Sequence, residues 1–140
     1  MSTAILSLVG LVVGAVLQFL FTRHLDGRKH QRELRTKAYT DYLTCVSEHA
    51  NAGVPRQSPE GRTLGARTAD AKCRICLYGS AGTIEAFAVF ERLGATMNTQ
   101  EQCLAFTRMV LLMRNDSAST GKVALADLQA ILLGPQRNAT

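Results

Sequence analysis

The sequence predicts an all-α protein, with one N-terminal transmembrane helix followed by a small cytosolic helical bundle. Three observations carry this reading. Residues Thr3 to Thr22 pass without one charged side chain. Twenty residues at about 1.5 Å of rise make a helix of roughly 30 Å, the thickness of a bilayer's hydrocarbon. Beyond them, apolar residues recur at spacings of three and four in stretches bounded by Gly, Pro or capping residues, which is helical periodicity. No strand-like alternation interrupts it.

The anchor is expected over residues 1–22. A cleaved signal peptide carries a positive n-region, a short apolar core and a small-x-small cleavage site. Here no Lys or Arg precedes Arg23, and the exit reads Phe19-Leu-Phe-Thr-Arg23. The flank beyond holds Arg23, Arg28, Lys29, Arg32, Arg35 and Lys37 against Asp26 and Glu33. By the positive-inside rule the N-terminus lies outside and the remainder in the cytoplasm, in a bacterial inner membrane. The same six cations are candidates for binding anionic lipid headgroups, at about 1 kcal/mol each near the surface.

All 16 Lys/Arg and all 11 Asp/Glu lie beyond the apolar stretch. The net charge of +5 therefore comes mostly from the flank, and the pI near 9.3 does not imply a basic face on the rest. No specific nucleic acid is expected as a partner.

Within the anchor, Ser7, Gly10, Gly14 and Gln18 recur on one side. Gly10-Leu-Val-Val-Gly14 is a GxxxG, which lets helix backbones approach closely, and Gln18 needs a partner for its amide in hydrocarbon. This face is the candidate for helix association.

Residues 23–50 read as the basic flank and an amphipathic helix, with Leu34, Ala38, Tyr42, Cys45, Val46 and His49 on one stripe and a bend at Gly27. Residues 51–66 read as a loop because of Gly53, Pro55, Pro59, Gly61 and Gly65. The remaining helices occupy 67–134. The first faces inward with Ala69, Cys73, Cys76 and Leu77. The second, Thr83 to Leu93, is apolar all round and therefore central, and Gly94 ends it. Thr99-Gln-Glu-Gln102 is a capping box opening a third. The last buries Leu125, Leu128, Ile131 and Leu132 before Gly134-Pro135. Residues 135–140 form a tail, whose Asn138-Ala-Thr140 is a sequon in form only.

The order of short motifs Arg32-Glu-Leu-Arg35, Ala38-Tyr39, Leu77-Tyr-Gly-Ser80, Met113-Arg-Asn-Asp116 and Leu132-Leu-Gly134 resembles a loose set of short bacterial and phage-associated single-pass membrane proteins with a cytosolic helical domain. The resemblance implies a topology and no activity. Some members of such sets accompany antiviral defence systems, and membrane-anchored accessory proteins of RNA-targeting CRISPR systems share the plan.

Two constellations offer chemistry. Cys45 and His49, one turn apart, with the CxxC Cys73-Arg-Ile-Cys76, supply the ligand types of a tetrahedral zinc site if an antiparallel hairpin brings the pairs level. The alternative is core packing, since free cysteine behaves as a small hydrophobe. Arg23 and His30 fit the loose Arg-x₄₋₆-His pattern of HEPN-like ribonucleases, in which such a pair serves the phosphate and the ribose hydroxyl. Topology alone also accounts for both. No P-loop, GxGxxG, HExxH or GxSxG is present, and no cofactor is expected.

The expected function is thus a membrane-anchored, self-associating, non-enzymatic assembly, recognition or pore-forming module. Its expected partners are membrane lipid, further copies of itself and an unidentified protein. The alternatives are a membrane-tethered HEPN-like ribonuclease using Arg23 and His30, and a zinc-stabilised adaptor using Cys45, His49, Cys73 and Cys76.

Overall fold

The computed structural model describes residues 2–53, 55–117 and 121–134, with side-chain surroundings left out for 2–10, 24–26 and 52. The fold is all-α. Five helices, α1 (Ser2–Ala52), α2 (Pro59–Tyr78), α3 (Ala81–Arg92), α4 (Gln100–Ser117) and α5 (Leu125–Leu133), and no strand occur among the described residues. Two compact units divide the chain, Met1–Glu33 and Leu34–Thr140.

The first unit is helical. Its described side chains, residues 11–23 and 27–33, are all exposed. Thr22 Oγ1 donates to the Gln18 carbonyl at 2.9 Å. Among the described residues no helix is long and apolar enough to cross a membrane. The apolar stretch 3–22 runs in part through residues whose side chains are left out. Helix α1 continues through Gly27. One glycine costs a helix only about 1 kcal/mol, which a long helix absorbs.

In the second unit, residues 34–52 of α1 and helices α2 to α4 enclose a core of Ala38, Tyr39, Tyr42, Ala71, Ile75, Phe87, Phe90, Phe106, Met109, Val110 and Met113. Tyr42 meets Phe87 edge-on at 4.9 Å between ring centroids, and Phe90 lies 5.4 Å from Phe106. The core helix is α4, not α3. Cys103, Ala105, Phe106, Thr107, Met109, Val110 and Met113 of α4 are buried, whereas α3 buries only Thr83, Phe87 and Phe90 and leaves Val89 exposed. Apolar residues on every side of a short helix do not decide which sides find partners.

Helix α2 begins at Pro59, so the loop expected over 51–66 is shorter. Ser58 is the N-cap, its Oγ accepting from Gly61 N at 3.0 Å and donating to Pro55 O at 2.8 Å. Pro59 sits at the first helical position, where its missing N–H is no loss. Gly61 is a close-approach glycine, since a Cβ there would run into the Pro55 carbonyl.

The inward face of α2 is also corrected. Ala69, Cys73, Cys76 and Leu77 are exposed, and the buried residues are Gly61, Leu64, Ala71 and Ile75. Ion pairs on both flanks explain the rotation. Arg67 bonds Glu48 of α1 at 2.7 and 3.1 Å, Arg74 bonds Asp41 of α1 at 2.6 Å, and Lys72 reaches Glu91 of α3 at 2.7 Å. These pairs also fix α1 and α2 as antiparallel, since rising numbers on one meet falling numbers on the other. The stripe between the two flanks is the one that faces the core.

Helix α3 ends in a Schellman motif, with Gly94 N donating to Glu91 O at 3.0 Å and Ala95 N to Phe90 O at 3.1 Å. The capping box at Thr99 forms as expected. Gln102 N donates to Thr99 Oγ1 at 3.2 Å, and Gln102 Oε1 accepts from Thr99 N at 3.1 Å. The expected burial of α5 does not occur. It has no buried residue, and Ile131 is 78% exposed.

Candidate functional site

Two polar features stand out in the second unit. The first is a junction at the turn between α2 and α3. Asp116, near the end of α4, accepts through one carboxylate oxygen from the Tyr39 hydroxyl and from Thr83 Oγ1, both at 2.7 Å. Ser80, the N-cap of α3, accepts from Thr83 N at 3.3 Å, and its own N–H lies 3.4 Å from the Tyr39 oxygen. Arg35 Nε donates to the Tyr78 carbonyl at 2.7 Å, satisfying a C-terminal carbonyl of α2.

Burial alone would raise the Asp116 pKa. Hydrogen bonds from Ser80, Thr83 and Tyr39 and the Arg35 charge outweigh it and hold the carboxyl below its usual range. Burial, and then the hydrogen bond to Asp116, push the Tyr39 phenol up. The pair is therefore a carboxylate and a neutral phenol, with the proton settled on Tyr39. The junction ties α1, α3 and α4 together beside the turn between α2 and α3.

The second feature is a groove of about 870 Å³ between α1, the first half of α2 and the α3–α4 loop. Gly61, Gly65 and Ala69, spaced by four along α2, form one wall, and their small side chains leave the space open. Arg56, Arg62, Lys72 and His49 also line it, and no Asp or Glu does. Lys72 is paired with Glu91, but Arg56 and Arg62 are exposed and have no carboxylate partner among the described residues.

The Thr68 hydroxyl donates to Leu64 O at 2.7 Å, so its oxygen accepts from His49 Nε2 at 3.3 Å. This puts a hydrogen on His49 Nε2. In the loop, Ala95 takes a left-handed φ of 51°, a conformation that costs a side-chain-bearing residue about 1 kcal/mol or more. The backbone N–H groups of Thr96 and Met97 have no hydrogen-bond partner among the described residues.

No family model, curated protein or solved structure matches this chain. Chemistry must be read from the residues themselves.

The sequence-derived candidates fare differently. Ser7 and Gly10 lie among the side chains left out. Gly14 is open, since a Cβ there would meet nothing within 4 Å, and Gln18 is exposed. Arg23, Arg28, Lys29, Arg32 and Lys37 are exposed, and Lys29 stands 4.0 Å from Glu33. Arg35 differs from the other cations expected to meet lipid, because it is half-buried on the Tyr78 carbonyl. Arg23 and His30 are both exposed, seven positions apart on one helix, which is about 10 Å of rise.

The cysteine–histidine set is not gathered. Cys45 is buried in the core, His49 is bonded to Thr68, and Cys73 and Cys76 face outward. Among the described residues no three of His, Cys, Asp and Glu are grouped to hold a metal ion. The reason is the rotation of α2 by its flanking ion pairs, which turns the CxxC away from Cys45. The groove itself was missed because Arg56 and Arg62 lie in the segment read as loop. The spacing Gly61-x₃-Gly65-x₃-Ala69 was the signal that could have found it.

Proposed function

We propose that this chain is a single-pass membrane protein that self-associates through its N-terminal helix and carries a non-enzymatic recognition or assembly bundle in the cytoplasm. One observation carries the reading. Residues 3–22 hold no charge, and six cations follow within the next fifteen residues. That asymmetry is what orients an anchor, with the cations kept on the cytoplasmic side against anionic headgroups.

Association rests on Ser7, Gly10, Gly14 and Gln18. A small-residue face lets two helices approach, and Gln18 would exchange an unsatisfied amide in hydrocarbon for a neighbour's. The open space at Gly14 is consistent with a contact surface not already used by its own chain.

Crosslinking of the full chain in nanodiscs, compared with Gly10→Leu/Gly14→Leu, tests this. Oligomers in the wild type that collapse to monomer in the variant are expected. A wild-type monomer, or equal ladders in both, would contradict self-association through this face.

A further inference from the structure

We infer that the groove between α1, α2 and the α3–α4 loop binds a phosphate-bearing organic anion of nucleotide size. The inference is independent of how residues 3–22 are placed, because every residue it uses belongs to Leu34–Thr140.

Volume, charge and shape each point to such a ligand. At about 870 Å³ the groove lies within the range of small-molecule sites. Its charge is one-sided. Arg56 and Arg62 stand at its margin with no carboxylate to neutralise them, and a guanidinium fork matches phosphate geometry two bonds at a time. Backbone groups add to this, because the Thr96 and Met97 amides are unengaged N–H donors in the loop that lines the same space.

The lining is not wholly polar. Val46, Ala69 and Met97 contribute an apolar surface, which suits a ligand with an organic body beside its phosphates rather than a bare ion. The groove also exists because α2 is small-sided there. A Cβ at Gly65 would meet nothing within 4 Å, so the fold itself does not require glycine at that position.

Phosphate chemistry of this kind is shared by free nucleotides and by phospholipid headgroups, and three probes separate them. Full-length protein in detergent is melted with ATP and with pyrophosphate, and in nanodiscs of phosphatidylcholine alone or mixed with phosphatidylglycerol. A rise of several degrees with millimolar ATP identifies a soluble ligand, and a rise confined to phosphatidylglycerol identifies a headgroup. The first result supports the site. The second supports it where Gly65→Leu abolishes the rise, because the cations between Arg23 and Lys37 are also placed to meet such headgroups.

Gly65→Leu fills the groove without disturbing the core, and Arg56→Ala/Arg62→Ala removes the unpaired charge. Each is expected to weaken binding about tenfold or more. Arg92→Ala, an exposed cation outside the groove, leaves it unchanged. The inference is overturned if no probe raises the melting temperature, or if the gain survives Gly65→Leu. It is also overturned if Arg92→Ala abolishes binding as fully as the groove variants do.

Discussion

Tyr39 donates its hydroxyl hydrogen to Asp116 at 2.7 Å, closing a contact between α1 and α4 across 77 positions of sequence. Thr83, fully buried, donates to the same carboxylate oxygen at 2.7 Å. Three helices thus meet on one carboxylate, beside the turn that joins α2 to α3.

Removing one donor leaves Asp116 under-satisfied. Tyr39→Phe is expected to cost about 1.5–3 kcal/mol, the range for hydrogen bonds to a charged group. A double-mutant cycle with Asp116→Asn, read by chemical denaturation, should show coupling between the two sites. Strict additivity would mean the hydrogen bond contributes nothing.

The same carboxylate predicts a pH dependence. Its folded pKa is lowered, so its contribution to stability is present above the unfolded value near 4 and is lost as pH falls through the folded value. The wild type should therefore lose stability below about pH 4. Asp116→Asn should be less stable at pH 7 and flatter with acid. Parallel melting curves for the two proteins between pH 7 and 3 would contradict this.

Two glycines should respond to alanine in opposite directions. A Cβ on Gly79 would stand 2.6 Å from the Ile75 carbonyl oxygen and 3.4 Å from the Tyr39 hydroxyl. Gly79→Ala should shift the junction and destabilise by about 1–3 kcal/mol. Gly65 lies inside α2 with free space around it, so Gly65→Ala should stabilise by about 0.5–1 kcal/mol. Thermal melts of both variants decide the matter.

The cap of α4 gives a smaller effect. Thr99→Ala removes the acceptor for Gln102 N and should cost about 1 kcal/mol. Gln102→Ala should cost at least as much, because its amide also donates to Leu93 O at 2.6 Å and ties the end of α3 to the start of α4. Equal stability of the wild type and both variants in urea would rule out a working box.

Features encoded locally were legible in the sequence. The Thr99–Gln102 box and the stop at Gly94 each depend on residues within one or two turns and form as read. The α1 stripe holds at Ala38, Tyr42 and Cys45 but not at its end, where His49 is exposed. What depends on partners far along the chain was not legible. The facing of α2 follows from Glu48, Asp41 and Glu91 on two other helices, and its own apolar pattern supports either face. The exposure of Ile131 and the central place of α4 are likewise decided by what packs nearby. The motifs Arg32–Arg35, Ala38-Tyr39, Leu77–Ser80 and Met113–Asp116 had no visible relation in sequence, yet Arg35, Tyr39, Ser80 and Asp116 meet at one junction.

The two outward cysteines of α2 provide the most direct test of membrane placement. Cys73 and Cys76 are exposed, while Cys45 and Cys103 are buried, so a membrane-impermeant maleimide reports on one face alone. In bacterial cells expressing the full chain, labelling is expected in inverted inner-membrane vesicles and absent from intact spheroplasts until lysis, with the protein resisting alkaline carbonate extraction. Labelling of intact spheroplasts, or release of the chain by carbonate, would contradict an anchor at residues 3–22 with its bundle in the cytoplasm.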